Sequence, residues 1–428
     1  MKPFAALAPV VGRAPGDWSR VEFRRLATLR ESPNMDSGSV PLSLSQTGLV
    51  SPRPADAGQQ PSADYLRRYW KVRPGDLVVN PMWLIGGAIG VSEVAGAVSP
   101  DYRVYQLRAD VHPRFFHYLM RSEPYFDQYK LLVRANTTFD RRITKADFHP
   151  IPTLVPPVST QRAIADFLDT ETARIDALIN KKRRLLTLIV DRRQGLIAQA
   201  VSVGFDHEGG LVETGSEFAP RIPRGWHLHR LRHVVTDIVD TAHKTAPVVD
   251  DGEFLVVRTA NVKSGRLVFE GARYTDEAGW KEWTQRGTPM PGDVMFTREA
   301  PAGEACVVPD GLRLCIGQRM VLLRVNRAMI SGEWLVHSVY AGAAQRFIEV
   351  LSKSTTVAHL NMSDIPDIPV VVPPLPEQER VLAAVRPRLR DCEAATAALL
   401  AQIDLLVEHR QALITAAVTG ELQVGVAA

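Results

Sequence analysis

Lysine, cysteine and long apolar runs are what this chain has least of. Only 10 of its 428 residues are lysine, and none has Asp or Glu two positions before it, so the (Asp/Glu)-x-Lys end of a common metal-dependent nuclease site is missing. No lysine follows a glycine, which removes the Gly-x-x-x-x-Gly-Lys phosphate loop. The three cysteines, Cys306, Cys315 and Cys392, cannot form a disulfide framework and have no partner at zinc-ligand spacing. A reducing, cytoplasmic setting is expected. No stretch approaches the ~18 apolar residues of a membrane span. Pro3 and Pro9 break the mildly apolar opening, so no signal peptide is expected there either.

Other motifs of chemistry are equally thin. Asn80-Pro-Met-Trp83 lacks the second proline of an amino-methyltransferase site and reads as a turn after a strand. Gly86-Gly-Ala-Ile-Gly90 is too short for a dinucleotide fingerprint. His227 and His229 could share one strand face. No catalytic or metal-binding constellation emerges.

What is present is arginine and a repeat. Arginines number 41, against the 10 lysines, and arginine is the better residue for bidentate phosphate and guanine contacts. A GC-rich genome would give the same bias. At a shift of 217 residues, Asp147-Phe-His-Pro-Ile-Pro-Thr-Leu-Val-Pro-Pro157 recurs as Asp364-Ile-Pro-Asp-Ile-Pro-Val-Val-Val-Pro-Pro374. Gln161 recurs as Gln378, and Pro74-Gly-Asp76 as Pro291-Gly-Asp293. Segments 147–201 and 364–418 share 16 identities in 55 ungapped positions. The chain is two copies of one unit, each a globular part followed by a long helix.

Residues 159–201 hold one glycine, Gly195, and no proline. A 3.5-residue seam can be drawn through Leu168, Glu171, Ile175, Leu178, Lys182 and Leu185, and again 217 residues later through Val385, Arg388, Cys392, Ala395, Leu399 and Gln402. Helices over about 159–201 and 376–418, packed on each other as an antiparallel coiled coil, follow from it. Ser159 suits an N-cap and Pro376 a first helical turn. Pro387, inside the second segment, is expected to bend or restart that helix.

The globular parts, 1–157 and 223–374, read as short β-rich runs punctuated by turn residues, with helical patches near 113–121 and 333–341. The class is α+β. The first part carries 20 basic and 14 acidic residues, the second 17 of each, and an acidic, glycine-rich linker covers 203–222. Basic residues interleave with aromatics and amides in several loops, the mixture that phosphate and base-edge contacts need. Such loops are also ordinarily just solvated. As candidate DNA contacts the first part offers Arg67, Arg68, Lys71, Arg141 and Arg142. The second offers Lys263, Arg266, Arg298 and Arg319.

Tandem globular parts, each closed by a helix opening on Pro-Pro-x-x-x-Gln, resemble the specificity subunit of type I restriction-modification enzymes. Further residues carrying the likeness are Ser354-Thr-Thr-Val-Ala-His-Leu-Asn-Met-Ser-Asp364 and Cys315-Ile-Gly-Gln-Arg-Met-Val-Leu-Leu-Arg324, with Asn136-Thr-Thr-Phe-Asp-Arg-Arg-Ile-Thr-Lys-Ala-Asp147 as a looser first copy. The resemblance implies target-recognition domains at 1–157 and 223–374, separated by a central helix at 158–202 and a distal helix at 375–421. Each domain would read half of a bipartite double-stranded DNA site, the helices setting the spacing. Two modification (methyltransferase) subunits would dock on the frame, followed by ATP-dependent restriction subunits. S-adenosylmethionine and ATP would belong to those partners, and this chain would carry no cofactor and no catalytic group. The alternatives are a non-catalytic scaffold or a stand-alone DNA-binding protein with two repeated domains.

Overall fold

A computed structural model describes residues 4–36, 38–54, 56, 60–133, 142–205, 209–241, 244, 246–353 and 359–425. It mixes helices and short strands, and it divides into two compact units: residues 1–183 with 400–428, and residues 184–399. Two helices run far longer than any other, Val158–Ser202 and Leu375–Thr419. Each gives one half of its length to each unit.

The first unit is built on an antiparallel sheet in the spatial order Ala27–Leu29, Arg103–Leu107, Leu77–Val79, Ile89–Val91. The repeated Pro-Gly-Asp motif is the turn into its inner strand. Gly75 takes φ +87°, a conformation that side chains with a Cβ rarely adopt, and the Asp76 carboxylate accepts the Arg73 N–H at 2.7 Å while pairing with Arg30. Phe23, Phe115, Phe116, Tyr125 and Phe148 fill the core, closed by Ile164, Leu168, Ile414 and Val418 from the long helices.

The second unit repeats the plan. Its sheet runs Val235–Asp240, Met320–Val325, Val294–Thr297, Ala305–Val307. Gly292 has φ +89°, and Asp293 accepts the Met290 N–H at 3.0 Å with Arg324 beside it at 3.4 Å. Trp226 and Trp334 meet edge-to-face at the core, beside Val294, Phe296, Val321 and Leu323. Ile197, Val201, Val381 and Val385 of the long helices close it.

The glutamine of Pro-Pro-x-x-x-Gln has a defined task in each unit. Gln161 is buried; its amide donates to the carbonyls of Pro156 (2.9 Å) and Asp110 (3.0 Å) and accepts the His112 N–H at 2.6 Å. Gln378 donates to Pro373 (2.9 Å) and Met329 (2.7 Å) and accepts the Ser331 N–H at 3.0 Å. One side chain thus joins the start of a long helix to the start of the globular helix beside it, Pro113–Met120 or Gly332–Tyr340. No apolar side chain could satisfy the same three backbone groups.

The helix seam is displaced from the line drawn through the sequence. Leu178 is 41% exposed and Leu185 48%, whereas Ile179 is buried. The inward line passes through Gln161, Ala165, Leu168, Thr172, Ile175, Ile179, Lys182, Leu186 and Ile189. In the second helix the same line, 217 residues on, passes through Gln378, Leu382, Val385, Leu389, Cys392, Thr396, Leu399, Ile403 and Leu406. After each of Leu168, Ile175 and Lys182, the next inward residue is four positions on, not three. In the first unit the globular helix meets this face, where Tyr118 Oη reaches Asp169 (2.8 Å) and Thr172 (3.2 Å). Within the first unit the helices are antiparallel, with Arg410 bonded to Asp176 (3.0 Å) and Lys182 to Gln402.

Two smaller expectations also shift. Ser159 lies inside the first turn rather than before it. Pro387 does not restart the helix, which runs unbroken from Leu375 to Thr419. It sits on the exposed side, as does Ala383, so the carbonyl it leaves unpaired faces water.

One repeated contact has its charges exchanged. In the first unit Arg114 pairs with Asp166 and Asp169 of the first long helix. At the equivalent place in the second, Glu333 pairs with Arg386 of the second long helix at 2.7 Å. Each globular helix therefore matches its own long helix, and crossing the partners would set Arg against Arg and Glu against Asp. Burial alone would push the Glu333 carboxyl up, but the hydrogen bonds from Arg386 and the nearby His337, with their charges, outweigh it and hold the group at about 2. A depressed folded-state pKa contributes stability above the unfolded value of 4.5 that is lost as pH falls toward about 2. We expect Glu333→Gln to melt lower than the parent at pH 7, and the gap between their melting temperatures to close as acid is added through that window.

Candidate nucleic-acid interface

The nine candidate DNA contacts separate into distinct groups. Arg67 and Arg68 follow the short helix Ala63–Leu66, capped by Ser62, and Lys71 lies on the strand Trp70–Val72; all three are exposed. Arg142 is exposed and stands 3.9 Å from Asp101. Arg141 lies outside the described residues, as do the opening residues of the 136–147 and 354–364 motifs, 136–141 and 354–358.

In the second unit, Lys263 and Arg266 face each other across a two-residue hairpin whose turn, Ser264-Gly265, takes φ +51° and +88°. Lys263 is exposed. The hairpin is tied to the long helices, since Arg193 donates to the Ser264 carbonyl at 3.0 Å and Arg266 pairs with Glu393. Arg266 thus serves the frame in this structure. Arg298 is also not presented to solvent: it is 9% exposed and held by Glu299 at 3.2 Å. Glu299 further receives Arg319 at 3.5 Å and His359 at 3.2 Å.

Arg319 is where the residues converge. In a three-stranded sheet, Phe254–Val257 runs parallel to Leu314–Ile316 and antiparallel to Arg273–Thr275. Beyond the carboxyl ends of the parallel pair lies a crevice of about 320 Å³, walled by Arg258, Arg273, Gln318 and Arg319 over a floor that includes Val248 and Val256. Gly317 makes the closure possible: its N–H bonds the Val257 carbonyl at 2.7 Å, and a Cβ there would stand only 3.1 Å from that oxygen. Arg319 adopts φ +72°, strain that a non-glycine residue carries only where the surroundings impose it. Burial, and then the neighbouring Arg273, lower the pKa of Arg258. Arg258 and Arg273 were not among the sequence candidates. The signal available was Arg258 at the end of the apolar run Phe-Leu-Val-Val; for Arg273 there was none.

The first unit has a larger crevice, about 570 Å³, lined by Gln46, His117, Arg121, Asp176 and Arg410 among others. Its basic groups hold the frame: Arg410 pairs with Asp176, and Arg121 donates to the carbonyls of Gly87, Ile89 and Gln46.

Other candidates are structural. Asn80 caps its own turn, accepting the Met82 N–H at 3.1 Å. His227 and His229 share a strand with rings 6.0 Å apart, and His233 approaches His229 at 6.5 Å. No metal-binding group of three His, Cys, Asp or Glu occurs among the described residues. Burial pushes the Cys306 and Cys315 thiols up to about 12, which suppresses the reactive thiolate. No helix among the described residues is long and apolar enough to cross a membrane.

No family model matches the chain. It is 20% identical over 335 residues to the type I restriction enzyme EcoBI specificity subunit of Escherichia coli, covering 74% of this chain and 67% of that one. It is 19% identical over 392 residues to the EcoDI specificity subunit of the same organism, covering 87% and 82%. Among solved structures, a chain from work on complex assembly and conformational transition of the type I R-M system superposes with a TM-score of 0.68 at 18% identity, over 96% of this chain and all of that one. The HsdS subunit from Thermoanaerobacter tengcongensis gives 0.52 at 20% identity, over 96% and 98%. The chain resembles type I specificity subunits in sequence, and it shares their fold.

Proposed function

We propose that this chain is the DNA-recognition subunit of a type I restriction-modification complex, a cytoplasmic protein without catalysis of its own. Each globular domain reads one half of a bipartite duplex site. The long helices set the distance between halves and dock two methyltransferase subunits, with the ATP-dependent restriction subunits joining afterwards. S-adenosylmethionine and ATP enter with those partners.

One observation carries this reading: a repeated frame holds inserts whose sequences differ between the two units. The four-stranded sheet, the Pro-Gly-Asp turn and the glutamine clamp occur twice. Between them the first unit carries the hairpin Leu42–Leu44 with Val50–Pro52 and the short helix Ala63–Leu66. At about the same 217-residue shift, the second carries the hairpin Val262–Lys263 with Arg266–Leu267 and the helix Glu277–Trp283, built from a different sequence. A scaffold binding one partner twice has no need for different inserts; a reader of two different half-sites does.

The test is methylation mapping in cells carrying this chain with its modification subunits. The expected outcome is adenine methylation at one interrupted motif, absent when this chain is omitted, while the purified chain alone transfers no methyl group from S-adenosylmethionine. Methylation that persists without the chain, or methyl transfer by the chain alone, contradicts the proposal.

A further inference from the structure

Resting on that reading, we infer that the crevice beyond strands Phe254–Val257 and Leu314–Ile316 is the DNA-backbone anchor of the second domain, taking a sugar-phosphate unit between Arg258, Arg273 and Arg319. The wall holds three guanidiniums and no carboxylate. Arg258 lends one nitrogen to the Gly271 carbonyl at 2.6 Å, while its buried Nε has no partner in the structure. Arg273 and Arg319 are exposed at the rim, where they can close on the same anion. Glu299 stands behind Arg319 at 3.5 Å, outside the crevice lining, and sets the approach of its side chain.

Shape selects the backbone over a base edge. Base edges lie within grooves that admit a projecting helix or β-ribbon, and a recess cannot enter them. Phosphates project outward from the duplex and can enter a recess. The apolar floor, with Val248 and Val256, suits the sugar that accompanies the phosphate. Backbone contacts position a reader in register without carrying sequence information themselves. The anchor therefore predicts an effect on affinity that is blind to sequence.

The experiment measures binding of the full-length chain to duplex DNA across a salt series, using both the methylation-mapped site and a scrambled duplex. Arg273→Gln and Arg319→Gln are the variants of choice, because both residues are exposed and the substitutions leave Arg258 and its backbone bond in place; melting curves confirm folding. Each should weaken both duplexes by a similar factor, about tenfold at low salt, and lower the slope of log K against log salt by about 0.9 per contact removed. Parent protein that binds DNA while both variants bind equally well overturns this site and leaves the recognition function standing. A loss confined to the mapped site, with the slope unchanged, also overturns it, since that is base reading. Parent protein without salt-dependent DNA binding overturns the site and the function together.

Discussion

Ile179→Asp should destabilise the first unit by about 4 kcal/mol, whereas Leu178→Asp one position earlier should change stability by no more than about 0.5 kcal/mol. Ile179 is 5% exposed in the helix seam, so the substitution deletes a buried branched side chain and puts a carboxylate in its place. Leu178 is 41% exposed, and an aspartate there extends into water. A second contrast, at the positions corresponding to Leu185 and Leu186, sets Ile403, buried, against Gln402, exposed. Thermal and urea unfolding of the full-length chain read the difference. Equal losses at 178 and 179 would mean that the inward line runs elsewhere.

Exchange of residues 223–374 for the corresponding domain of a relative with a known site should replace one half of the methylated motif and leave the other half untouched. The expectation follows from how the second unit is attached. Its joints to the long helices include the Gln378 clamp, the Glu333–Arg386 pair, the Arg266–Glu393 pair and the Arg193–Ser264 bond. A donor domain that meets the clamp and places a carboxylate at the position of Glu333 seats on this frame. Methylation mapping decides the matter: a motif changed in both halves, or in neither, would falsify the modular reading.

These experiments bear on different depths of legibility. The Pro-Gly-Asp turns, the helical patches at Pro113–Met120 and Gly332–Tyr340, and both long helices were readable because each depends on neighbours within a few residues. Turn chemistry, helix entry and a 3.5-residue period are local. The phase of the seam was not readable. The line drawn through Leu178 and the line through Ile179 are similarly rich in apolar residues, and contacts from elsewhere in the chain, such as Tyr118 on Thr172 and Arg410 on Asp176, choose between them. The candidate site divided in the same way. Arg67, Arg68 and Lys71 are exposed as loop composition suggested, while Arg266 and Arg298 are engaged by Glu393 and Glu299.

From the sequence by itself came the duplication, the α+β class, the helix pair and the absence of the nuclease and phosphate-loop motifs sought, since repetition and missing motifs need no geometry to be seen. Only the tertiary structure decided which helix face turns inward, that Pro387 can stay in an unbroken helix, and that Arg258 and Arg273 converge on Arg319. Those outcomes depend on contacts between residues as far apart in the chain as Asp176 and Arg410, and a pattern of period 3.5 is silent about what lies across from it.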